Sequence, residues 1–297
     1  MNDSITQTRR IKRITESVIS LPTLPTVVSK MLELVDNPKT SAASLARLIS
    51  TDQTLTARIL KLANSAYYGF PREIYTVDTA IVVLGFNTVK DMGLSLTVLD
   101  VFKGGAGADS FDVSKLWEHS IGCGIGAKML ARRFRSPLVG EAFVAGLLHD
   151  IGKVILNHYL AGEFHEIIGM VRNDGRTLDE AEEVVLGTSH AEIGGWLADK
   201  WRLPKIIAES IRYHHAPWEA QTAPLLVAVV AISNYLCHCA GIGNSGRKNP
   251  VSPDDRVWDI FSGNNIEISA DALEPLETDL LLEYDQAETL LSFIHED

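Results

Sequence analysis

The sequence predicts an all-α protein: a bundle of short helices in a histidine-rich body, preceded by an additional N-terminal helical region. Three observations carry this expectation. Apolar residues recur at i, i+3 and i+4, with Ser, Thr, Asp or Asn before them and Gly or Pro after them. No stretch alternates with period two, which a half-buried strand would require. No internal repeat of about 20–50 residues is present, which argues against a solenoid.

In chain order, the LPTLP segment at 21–25 sets an extended lead, and Met31, Leu32, Leu34 and Val35 then read as a helix ending at the Asn37-Pro38 turn. Thr40 or Ser41 can cap the next helix, with Leu45, Leu48 and Ile49 on one face. Asp52 can cap another, carrying Leu55, Ile59, Leu62 and Ala63; Asn64 and Gly69 lie in the break after it. A short helix over 77–84 stops at Gly85, and an Asn87-capped helix runs to about Val101. The stretch KGGAGADS at 103–110 is a boundary signal. It separates an N-terminal helical region (1–103) from a helical domain (111–240), with an acidic helical tail (253–297) packing on the body. Beyond the boundary the periodicity predicts helices near 113–134, 139–160, 162–174, 177–187, 190–201, 204–214 and 223–239. The segment GIGNSGRKNPVS at 241–252 reads as a loop with turn chemistry and no core residues. The tail follows with apolar positions Leu273, Leu276, Leu280 and Leu281, then Leu290, Leu291, Phe293 and Ile294.

The 297 residues suffice for one large domain or two smaller ones, and 46% hydrophobic with 22% charged residues is globular composition. The net charge of −11 is concentrated: 251–297 hold 13 acidic residues and one Arg, while the first 250 hold 25 acidic and 26 basic residues. This balance argues against a general nucleic-acid binder. The basic run Arg9, Arg10, Lys12 and Arg13 reads as a solvated helix face. No apolar run reaches the roughly 18 residues that span a bilayer, and 225–236 reads as a buried helix. The N-terminal segment lacks the apolar stretch of a secretory signal, and three cysteines, two of them too close for a helical disulfide, fit a reducing compartment. The expected location is cytoplasmic.

Five informative histidine positions carry the chemistry. His149-Asp150 is adjacent in GLLHDIGK; His119 lies thirty residues earlier in LWEHS; His190 follows in TSHAEIG, and His214-His215 in YHHAP. Imidazole nitrogens and one carboxylate oxygen are common ligands of a divalent transition metal. Neighbours on a helix point about 100° apart, so both members of the pair reach one ion only where ligands converge from several sides of a bundle. Lys153 is i+4 from His149 and i+3 from Asp150, placed to hold a phosphate or to balance the carboxylate. His158, His165, His238 and His295 are read as structural.

LLHDIGK, with the histidines around it, resembles the HD superfamily of metal-dependent phosphohydrolases, and in the order of its histidines the HD-GYP branch. LPTLPTVVSKMLELV, SLARLISTDQTLTARILKLANSAYYG and TVDTAIVVLGFNTVKDM resemble the HDOD family, an HD-related output domain of bacterial signalling. The resemblance covers roughly 20–240. It implies an all-α fold, a regulatory role through a protein partner, and a divalent metal (iron, manganese or similar) at His119, His149, Asp150, His190, His214 and His215. It gives Asp150 and Lys153 the catalytic positions. Two departures bear on activity. The residues after the His pair read APWEA where HD-GYP enzymes carry their signature, and AISNYL places Asn234 near the position of a ligand aspartate. The expected function is therefore signalling through protein contacts, with weak or no catalysis. The alternative is metal-dependent hydrolysis of a nucleotide or another phosphate-containing small molecule.

Overall fold

The computed structural model describes residues 41–101, 111–287 and 291–292, together with Lys30, and among them every regular element is helical. The 9–13 basic run, the LPTLP segment, the helix read over 31–35, the 103–110 boundary and the positions Leu290, Phe293 and Ile294 lie outside the described residues.

Local side-chain chemistry starts the helices. Ser41 accepts from Ser44 N ahead of α1 (Ala42–Ile49), and Asp52 accepts from Leu55 N ahead of α2 (Gln53–Ala63). Thr76 caps α3 (Val77–Leu84), which stops at Gly85 with φ 94°. The Gly85 carbonyl then accepts from Val89 N, so α4 (Phe86–Val101) begins at once. Asn87, expected as its cap, lies inside the first turn, because the backbone of Gly85 has already taken the capping position.

The body is built on α5 (Val113–Arg133) and α6 (Val139–Leu148), followed by α7 (Ile151–Tyr159), α8 (Ala161–Asn173), α9 (Leu178–Leu186), α10 (His190–Lys200) and α11 (Lys205–Tyr213). After these come α12 (Pro224–Cys239), α13 (Asp255–Gly263) and α14 (Leu273–Asp285). α5 is buried around most of its circumference, between α6, α12 and α14. A Cβ on Gly146 would lie 2.4 Å from the Cys123 carbonyl oxygen, so only glycine lets α6 approach α5 this closely. The expected 139–160 helix is two helices: it breaks at His149-Asp150, where Asp150 takes φ −98° and ψ 13°.

One hydrophobic core runs through both sides of the 103–110 segment, from Ile59, Leu62 and Met92 to Leu116, Leu147 and Val230. α4 packs on α6, with the Lys90 ammonium 3.7 Å from Glu141. The Lys128 ammonium of α5 lies 4.3 Å from the Tyr67 ring centroid and 4.6 Å from that of Tyr68. Phe70, beside them, is exposed. In the tail, Leu276 and Leu280 of α14 are buried, and Asp279 and Glu283 face Arg133 and Arg132 at 3.0 and 3.6 Å. The acids thus meet the basic C-terminal end of α5, where the helix dipole also favours cations.

Candidate metal centre

The break at His149-Asp150 solves the problem of two adjacent ligands on one helix. His149 ends α6 and Asp150 precedes α7, so the turn between them aims both side chains at one point. α10 brings His190 to the same point as its first residue, behind the Ser189 cap. A Cβ on Gly152 would sit 1.9 Å from the His190 carbonyl oxygen, so glycine in HDIGK is what allows α7 to reach the start of α10. His214 and His215 follow directly on α11, and His119 approaches from α5.

Around Asp150 the distances are short. His190 Nε2 lies 3.3 Å and His214 Nε2 3.6 Å from Oδ1, while His149 Nε2 lies 3.4 Å from Oδ2. Lys153 donates to Oδ2 at 2.7 Å, with both side chains fully buried. Of the two roles open to Lys153, the geometry shows the balancing of the carboxylate. His190 Nε2 is 3.1 Å from His215 Nε2 and 3.4 Å from His214 Nε2. The structure therefore brings His149, Asp150, Lys153, His190, His214 and His215 into one cluster. His119 stands beside it, its ring centroid 5.7 Å from that of His149 and its Nε2 3.0 Å from Asn234 Oδ1.

The donor chemistry tests whether a cation fits. A carbonyl or carboxylate oxygen only accepts, so a ring nitrogen bonded to one must carry the proton. His149 Nδ1 donates to Gly146 O at 2.7 Å and His214 Nδ1 to Ile211 O at 2.8 Å. His190 Nδ1 donates to the buried Glu182 carboxylate at 2.8 Å. His149, His190 and His214 thus turn their Nε2 lone pairs inward, in the arrangement that orients histidine ligands of metals; His119 has an acceptor oxygen at each ring nitrogen, Ile242 O and Asn234 Oδ1. His149 Nε2 and Asp150 Oδ1 are buried without any hydrogen-bond donor. Converging lone pairs and a carboxylate oxygen with nothing to accept need a cation or a proton among them. The residues present fit a divalent metal at Asp150, held by His149, His190 and His214 with His215 at the rim.

The electrostatics agree. Burial alone would push the Asp150 carboxyl up; the neighbouring His149, Lys153 and His190 outweigh it and hold it well below the usual carboxylate range. Burial pulls the His119 ring down to about 3 and His214 and His215 well below the ordinary imidazole value. His190 goes the other way: burial lowers it, but the Glu182 carboxylate and Asp150 raise it above its ordinary value.

Several site residues carry no sequence signal. Glu182 is fully buried and accepts from both the His190 backbone N–H and its ring. Arg247 donates to Asp179 at 2.9 Å and to His215 Nε2 at 2.9 Å from the 241–252 segment. That segment was expected to hold no core residues. It instead buries Ile242 and Ser245 against the body, because its backbone supplies the carbonyl that fixes His119 and Asn244 N bonds Lys115 O. His238, read as structural, has its ring centroid 4.6 Å from that of His119 and is pulled by burial to about 2. A cavity of about 320 Å³ adjoins the cluster, walled by His214, His215, Asn234, His238, Trp218 and Arg247. Cys123 lies one helical turn after His119 with Sγ 3.4 Å from its Nε2, a spacing the sequence could have revealed.

Comparison with known proteins gives a consistent picture. The HDOD domain model matches residues 21–217. A crystal structure of an HDOD domain protein of unknown function from Geobacter sulfurreducens is 30% identical, with a TM-score of 0.78 over 97% of this chain and 96% of that one. A candidate phosphohydrolase from Shewanella amazonensis SB2B is 25% identical, with a TM-score of 0.73 over 95% of this chain and 97% of the other. A protein of Treponema pallidum (strain Nichols) is 26% identical over 232 residues, 77% of this chain. The chain spans 44% of that relative's length.

Proposed function

The chain belongs to the HDOD family, and from that premise we propose that it is a bacterial signal-transduction module that holds a divalent metal at its His-Asp site and acts through protein contacts, with weak or no catalysis. The observation that carries the reading is the inward convergence of acceptors, with His149 Nε2 and Asp150 Oδ1 buried and without a donor. When bound, a divalent ion would supply Lewis-acid polarisation of a phosphoryl oxygen or of water. The chain's own groups favour holding over turnover. Lys153 engages Asp150, Arg247 covers His215, and the neutral Asn234 faces His119.

A link from the site to a partner lies in α6. Its C-terminal end supplies His149, and its N-terminal end contacts α4 through Glu141 and Lys90. A change in the charge held at His149 is thus coupled through one rigid helix to the packing of the first half. That half carries exposed Phe70, Tyr75 and Val82, which suit contact with a protein partner.

The test is elemental analysis of the purified protein beside a phosphatase and phosphodiesterase screen with added manganese or iron. The expected result is a bound transition metal, lost in Asp150→Ala, with turnover far below the common enzyme range of about 1–10³ s⁻¹. Rapid metal-dependent turnover abolished in Asp150→Ala would favour the second reading, a phosphohydrolase acting on a phosphate ester. That reading is supported by the cavity beside the cluster, with Arg247 on its wall.

A further inference from the structure

We infer that Cys123 is a thiolate ligand of a divalent metal, forming with His119 and His149 a soft donor set on the α5 side, beside the Asp150 cluster. The inference rests on the metal reading given above. His119 and Cys123 are four residues apart on α5, hence on one face, and Cys123 Sγ lies 3.4 Å from His119 Nε2. Ligand atoms of His119, Cys123 and His149 all lie within 4.8 Å of one another, and all three residues are buried. Tetrahedral bonds of roughly 2.0–2.1 Å to nitrogen and 2.3 Å to sulfur place neighbouring donors about 3.4–3.7 Å apart. The pair is thus already at ligand spacing.

Two further observations point to a ligand rather than to a simple thiol–imidazole hydrogen bond. His149 Nε2 is buried with no donor, while its Nδ1 is committed to Gly146 O. His119 stands between two acceptor oxygens, Asn234 Oδ1 at 3.0 Å from Nε2 and Ile242 O at 3.2 Å from Nδ1, and a neutral ring has one proton for the two contacts. Asn234 is neutral, so an ion held by His119 and His149 gains an anion on the α5 side from a Cys123 thiolate. As the metal–sulfur bond forms, the S–H bond breaks and its proton passes to water; no electron is transferred. Thiolate ligation biases the site toward zinc, cobalt and iron over manganese and magnesium.

The test uses the full chain, stripped by chelation and reloaded with cobalt(II). The expected result is a near-ultraviolet thiolate-to-cobalt charge-transfer band, abolished in Cys123→Ser and retained in Cys237→Ser, the neighbouring buried thiol. Bound cobalt without that band, or a band lost only in Cys237→Ser, would overturn the role of Cys123 and leave the metal reading standing. Failure of the protein to bind cobalt, zinc, iron or manganese would overturn both. Should Cys123→Ser not fold, X-ray absorption of the zinc-loaded wild type decides. A sulfur neighbour at about 2.3 Å supports the assignment, and a shell of only nitrogen and oxygen refutes it.

Discussion

Glu182 offers a separation of structural from electrostatic support in this site. Its side chain and that of His190 are both fully buried. Its Oε2 accepts from His190 N at 3.0 Å and from Nδ1 at 2.8 Å. Glu182→Ala leaves two buried donors without an acceptor and opens a cavity. Breaking a buried pair from one side costs roughly 3–5 kcal/mol, a large part of the 5–15 kcal/mol that holds a typical domain. Glu182→Gln is different. Its amide oxygen can take both hydrogen bonds, but the amide nitrogen then takes the place of Oε1, 2.9 Å from the Nδ1 donor, so stability should fall by about 1–2 kcal/mol, while the negative charge that makes His190 a better ligand is lost. Changes of this kind weaken metal affinity by about 10–100-fold. Urea denaturation in chelator measures the first effect, and calorimetric metal titration of the stripped protein measures the second. The expected pattern is a large stability loss in the alanine variant, and a small stability loss with a large affinity loss in the glutamine variant. If the glutamine variant binds metal as the wild type does, the carboxylate is only a packing and hydrogen-bonding element, and the argument for an oriented ligand fails.

Three further outcomes follow from the same geometry. His119 and His238 are pulled from 6.5 to about 3 and about 2, and His214 and His215 are also lowered, against one histidine, His190, that is raised. Groups lowered on folding bind protons more tightly in the unfolded chain, so their stabilisation is complete above about pH 6.5 and is lost as pH falls, by up to about 1.4 kcal/mol per pH unit for each net proton. Denaturation midpoints of the chelated protein should drop between pH 7 and 5, and a flat profile would contradict the lowering of these four histidines on folding. Gly152→Ala forces a Cβ against the His190 carbonyl, where it would lie at 1.9 Å. It should cost about 3 kcal/mol and abolish metal binding, as read by thermal melts and elemental analysis. The fragment 1–103 should unfold at lower denaturant than the whole chain, because Tyr67, Tyr68 and α4 lose Lys128 and α6 as neighbours; a transition as stable as the intact protein's would show independent halves.

Much of the fold was legible because helix starts are local chemistry. Ser41 and Asp52, read as caps from the sequence, each accept a backbone N–H at the start of the helix that follows, and Thr76, Asp112, Thr177 and Ser189 do the same for later helices. The residue types of the site were legible too: His149-Asp150, His190 and His214-His215 are donor types that suit a metal, and the structure brings them into one cluster. Where those side chains point was not. The break between α6 and α7 interrupts an apolar pattern that reads as one helix, since periodicity records burial and not a change of axis. Glu182 and Arg247 look like ordinary surface charges in the sequence, and come to hold His190 and cover His215 only because α9 and the 241–252 segment pack where they do. Gly146 and Gly152 show the physical reason. Convergence of a site depends on how closely distant backbones can approach, and that distance is set by packing between helices rather than by any residue's local preference.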